Sequence, residues 1–157
     1  MLVKANSMQA YFREALDASL RLSNISVTET AQVYVVHLLH EFSRSEVAFA
    51  GTDYGEKISV AHMLERGLLA QNPEALQIYR HLGDTCLYTL GFFREAAIKR
   101  LSSQRYYNDM GAQAYAQASV LAKPHNAALF SELSSRFNDM VILIEYIAKY
   151  KNQEKSN

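Results

Sequence analysis

Apolar residues recur in this chain every three or four positions over most of its length, and that period restricts the fold to packed helices. The cleanest stripe lies near the C-terminus. Leu129, Phe130, Leu133, Phe137, Met140, Val141, Ile144, Ile147 and Ala148 predict one helix from about 126 to 151. Met8, Tyr11, Phe12, Ala15, Leu16 and Leu20 predict another over residues 7 to 22. In "AQVYVVHLLHEF" the apolar residues cover most of the circumference, so this second helix, with Thr28 as its capping residue, is expected at the centre of the bundle.

Turn signals divide the rest. "AGTDYGEK" reads as a loop, followed by a short helix near 58 to 71. Pro73 in "NPE" suits the first position of a fourth helix, about 74 to 101. "SSQ" precedes a fifth helix, about 104 to 122, and Pro124, His125 and Asn126 form the last turn. No repeat of solenoid length is visible, so the expected fold is all-α, a compact bundle of about six helices in a single domain over 1–151 with a polar tail at 152–157.

Charge and cysteine content narrow the function. Sixteen Lys and Arg are balanced by 16 Asp and Glu, which argues against a nucleic-acid partner, and no run approaches the roughly 18 apolar residues of a spanning helix. The N-terminus lacks the pattern of a signal peptide, and the single cysteine, Cys86, lies in an apolar run as a buried thiol would. A cytoplasmic location is expected. Phosphate loops, dinucleotide fingerprints and the nucleophile elbow of hydrolases are missing, so a catalytic role is not expected and no cofactor is implied.

One stretch breaks the helical rule. "GDTCLYTLGFFR" places Gly83, Asp84 and Gly91 inside the fourth helix, where each glycine costs about 1 kcal/mol relative to alanine. The fifth helix carries a complementary small-residue surface with Gly111 and Ala114. Close packing of helices four and five would offset the cost; the sharper alternative is a ligand pocket. On the helix surface Arg80, four residues before Asp84, and Tyr88, four after, are both within reach, and an ion pair with Arg80 is expected there; otherwise Asp84 accepts a hydrogen bond from Tyr106, Tyr107 or Tyr115.

Three pairs place possible metal ligands at i and i+3: His37 with His40, His62 with Glu65, and His81 with Asp84. Surface histidines give the same spacing by chance, and the Glu-x-x-His pairs of di-iron bundles are absent.

The stretches "YRHLGDTCLYTLGFFREA", "RYYNDMGAQAYAQAS" and "FSELSSRFNDMV" resemble a family of small helical bacterial proteins to which no activity is attached. The resemblance covers about the last half of the chain. It implies that the two glycine-containing segments act together, and it transfers no catalytic residue. The expected role is that of a non-catalytic adaptor or accessory subunit that binds a protein partner or forms a homo-oligomer, with Tyr146 and Tyr150 at the contact. The alternative is a metal- or small-ligand-binding bundle with redox or hydrolytic chemistry.

Overall fold

A computed structural model describes residues 2–44, 62–97 and 101–156. The expected loop "AGTDYGEK" and the start of the third helix lie outside them. The described residues form seven helices: α1 (Leu2–Ser23), α2 (Glu29–Arg44), α3 (62–69), α4 (Glu74–Ala97), α5 (Leu101–Leu121), α6 (Pro124–Ser135) and α7 (Phe137–Ser156). The fold is an all-α bundle, and no helix among the described residues is long and apolar enough to cross a membrane.

Local chemistry sets the helix ends. Asn24, at φ 58°, takes the left-handed conformation that closes α1, a backbone state asparagine tolerates better than most residues. Thr28 caps α2, its Oγ1 accepting the Ala31 N–H at 3.2 Å. Pro73 sits just before α4, whereas Pro124 opens α6, so the expected turn at Pro124–Asn126 is instead the first turn of a helix. Ser102 to Gln104, expected as a break, belong to the first turn of α5. The last helix runs past residue 151 to Ser156.

The single helix expected from 126 to 151 is two. Arg136, at φ −113° and ψ 27°, separates α6 from α7. The backbone ladder bridges the step, with Arg136 N–H donating to Glu132 O at 2.9 Å and Met140 N–H to Arg136 O at 3.0 Å. Side chains fix it: Arg136 donates to Asp139 Oδ2 at 2.8 Å and also to the Ser26 carbonyl in the turn between α1 and α2. An unbroken helix over 124–156 would be about 50 Å long, too long to lie against one neighbour. The break lets α6 lie on α5, where Ser134 Oγ donates to Ala112 O at 2.7 Å, while α7 lies on α4 and α1, where Ser19 Oγ donates to Leu143 O at 2.8 Å.

The helix at the centre is α4, not α2. Every residue from Leu82 through Gly91 is buried, and α4 packs against α5, α7 and α2. On α2 only one face is covered: Ala31, Val35, Leu38, Leu39, His40 and Phe42 are buried, while Val33, His37 and Glu41 are exposed. The glycines explain the exchange of places, because a helix can be surrounded only where its own side chains leave room for its neighbours.

Candidate functional site

Glycine positions on α4 and α5 are filled by large side chains, not by another backbone. A Cβ on Gly83 would fall 2.7 Å from the Tyr115 ring of α5. On Gly91 it would fall 2.6 Å from Ile144 Cβ of α7, and on Gly111 2.6 Å from Phe137 Cε2 of α7 and 2.9 Å from Cys86 Cβ. Gly83 and Gly111 do face the α4–α5 contact, but Gly91 accommodates α7. The small-residue face expected to bring α4 and α5 together therefore serves three helices, and knobs of Tyr, Ile and Phe fill the space the missing side chains leave.

Laying the Tyr115 ring across Gly83 has a polar consequence at the next residue. Tyr115 OH donates to Asp84 Oδ1 at 2.6 Å. Tyr34 OH, arriving from α2, donates to the same oxygen at 2.7 Å. Phe130 of α6 lies against both rings, edge-on to Tyr34 at 6.0 Å and stacked on Tyr115 at 6.2 Å. Three helices thus contribute the polar groups of the cluster and a fourth supplies its apolar wall.

The surface ion pair between Arg80 and Asp84 is not how this carboxylate is held. Asp84 is 8% exposed and turned into the core, while Arg80 is at the surface. Burial holds the Asp84 carboxyl above the usual carboxylate range, against the opposing pull of the Tyr115 and Tyr34 hydrogen bonds and the fields of Arg80 and His81. Burial, with Asp84 beside them, likewise pushes the Tyr34 and Tyr115 phenols upward. Of the three tyrosines weighed as partners, Tyr115 makes the bond. Tyr107 is fully buried and meets Tyr106 edge to face at 5.6 Å, but it lies eight residues earlier on α5, about 12 Å along the helix axis.

Tyr34 escaped the sequence reading. It stands among valines and leucines in α2, and nothing within a few residues of it signals a carboxylate fifty positions away. The only available hint was generic: a tyrosine on an apolar face needs a partner for its hydroxyl once buried.

The possible metal ligands do not converge. His37, His62, Glu65 and His81 are exposed, His40 is buried on α2, and Asp84 is engaged by the two tyrosines. Among the described residues no group of three or more His, Cys, Asp or Glu is placed to hold a metal ion. Spacing at i and i+3 aligns two side chains on one helix, but a site needs facing helices to bring the pairs together. Cys86 is fully buried, and burial raises its thiol well above the usual range, which disfavours the reactive thiolate.

Of the two tyrosines expected at a contact, Tyr146 is 36% exposed with Lys149 Nζ 5.9 Å from its ring centre. Tyr150 is half-buried beside Tyr11 of α1, with ring centres 6.1 Å apart. An open groove runs between the start of α2 and α6, bordered by Thr28, His125, Leu129, Ser131, Glu132 and Ser135. Glu132 crosses it as a second cap for α2, accepting Thr28 N–H at 2.9 Å and Thr28 Oγ1–H at 2.5 Å. Comparison of the chain with family models, with curated proteins and with solved structures finds no match, so the resemblance to small helical bacterial proteins rests on the quoted stretches alone.

Proposed function

We propose that this chain is a non-catalytic helical binding subunit of a bacterial, cytoplasmic assembly, acting through contact with another protein chain. The observation that carries the reading is the pair Leu68 and Leu69, adjacent at the end of α3 and 70% and 79% exposed. Isolated surface leucines are ordinary, but two neighbours leave about 1.5–3 kcal/mol of burial each to be gained from a partner. Val33, Val120 and Leu22 add exposed aliphatic surface on α2, α5 and α1, and Tyr146 adds an aromatic edge on α7. The placement of Asp84, Tyr115 and Cys86 in the core also fits a scaffold more readily than a reaction centre. The charge balance of 16 against 16 favours a protein partner over nucleic acid.

Sedimentation of the isolated chain over a range of concentrations, and in extract where a partner is present, tests the reading. The expected result is an oligomer or a heavier complex that Leu68→Ser with Leu69→Ser weakens. A monomer in both settings overturns it. The groove beside α6 then favours the second reading, a binder of a small polar ligand, because hydroxyl, imidazole and carboxylate side chains border it together with the apolar Leu129. Native mass spectrometry with elemental analysis of the purified protein reports such a ligand directly.

A further inference from the structure

Asp84 brings a carboxyl group into the core at a place where its hydrogen-bond donors are two phenols. From α2 it faces Tyr34, and from α5 it faces Tyr115. From its own helix Arg80 and His81 act on it from the surface one turn earlier. The side toward α6 is the uncharged ring of Phe130, and Phe137 of α7 stands beside Tyr115 at 5.9 Å.

The two tyrosines are held unequally. Tyr115 is fully buried, with its ring seated on Gly83 between α4 and Phe130. Tyr34 is half-buried and belongs to a helix with one face in solvent. Both hydroxyls donate to Oδ1, so a carboxyl proton belongs on Oδ2. The neutral acid keeps both hydrogen bonds and places no charge in the core. The ionised group keeps the bonds too, but it confines a full charge among aromatic rings, and an outward movement of α2 is the displacement that brings water to it.

We infer that the Tyr34–Asp84–Tyr115 cluster is a proton-controlled latch, which holds α2 against α4 while Asp84 carries its proton and loosens α2 when that proton is lost. On opening, the O–H bond of the carboxyl group breaks and the proton passes to bulk water; Tyr34 leaves with α2 while Tyr115 stays on Gly83. The sign follows from linkage. Burial strengthens proton binding in the closed state, and hydration on opening returns the group toward its ordinary affinity. Opening therefore releases a proton, and rising pH favours it. The latch is independent of the adaptor reading, because it concerns motion within one chain.

Hydrogen exchange of the intact protein over about pH 5 to about pH 8, corrected for the intrinsic pH dependence of exchange, tests the latch by comparing protection of residues 29–44 with that of residues 82–91. The ratio is expected to fall with rising pH, by up to about tenfold per unit once the carboxyl group titrates. Asp84→Asn keeps an oxygen acceptor without a titrating proton, and its ratio is expected to be flat. Tyr34→Phe removes a donor that favours the charged form, so its fall is expected at higher pH; this variant decides the matter if Asp84→Asn does not fold. A flat ratio in the wild-type protein, or a fall that the folded variants leave unchanged, overturns the proposal.

Discussion

α2 and α4 exchange the places their compositions suggest. α2 carries a dense run of valine and leucine, yet Val33, His37 and Glu41 look into solvent. The middle of α4 contains Asp84, Thr85 and Thr89, yet it is enclosed on every side. The difference is one of shape. Bulky valine and leucine side chains make a wide helix that packs along one face, whereas Gly83 and Gly91, with the small Cys86 facing Gly111, leave α4 narrow where Tyr115, Ile144 and Phe137 approach closely. Enclosure gives two of these polar residues partners inside: Thr85 Oγ1 donates to His81 O at 2.8 Å, and Asp84 takes two phenols, whereas the Thr89 hydroxyl is buried without a hydrogen-bond partner among the described residues.

The comparison is broken most severely by filling the narrow helix. Gly91→Leu is expected to cost about 3 kcal/mol, because the new side chain meets Ile144 near its own Cβ and not at a flexible tip; the urea midpoint reads it. Ile144→Ala in the same chain should recover part of the loss, and an additive double mutant would mean that the two residues do not share the space. Gly111→Leu meets the far end of the Phe137 ring on α7 and Cys86 Cβ on α4, so about 2 kcal/mol is expected, and an unchanged melting curve would refute the packing at this position.

Polar substitutions come next. Tyr115→Phe strips a buried carboxyl of one donor and is expected to cost about 2 kcal/mol; Tyr34→Phe, on the helix that water reaches, about 1 kcal/mol. Equal costs would remove the distinction between the enclosed and the one-faced helix. The pH dependence has a definite sign. Since the Asp84 pKa is raised on folding, its contribution to stability is present below the ordinary carboxylate range and is lost as pH rises through the raised value. Across that window the wild-type denaturation midpoint should fall relative to that of Asp84→Asn as pH rises, and parallel curves would show that Asp84 does not titrate differently in the folded state. The smallest effect belongs to the outer face of α2, where Val33→Ser should stay within about 0.5 kcal/mol.

Tyr115 and Tyr34 show how far the site could be read in advance. The glycine at 83 and the acid at 84 stand out on any helical projection, and the tyrosine-bearing stretch after Arg105 is a natural partner, so the Asp84–Tyr115 contact lay among the alternatives. Nothing local favoured it over the Arg80 ion pair, because four residues of helix place Arg80 within reach and only the neighbours of α4 turn Asp84 inward. Tyr34 was beyond reading, since its position depends on how α2 lies across α4. The histidine pairs illustrate the converse: their spacing is visible in the sequence, but the packing leaves His37, His62 and His81 in solvent.

The sequence by itself determined the helices, through a hydrophobic period that holds wherever a segment must bury one stripe, and it determined the cap at Thr28 and the burial of Cys86. Only the tertiary structure decided that α4 is central, that the last apolar stripe breaks at Arg136, and that two phenols share one oxygen of Asp84. Period is a property of neighbours in the chain, set by 3.6 residues per turn. Enclosure, helix breaks and hydrogen-bond partners depend on which surfaces fit together, and that fit is settled by side-chain volumes on several helices at once.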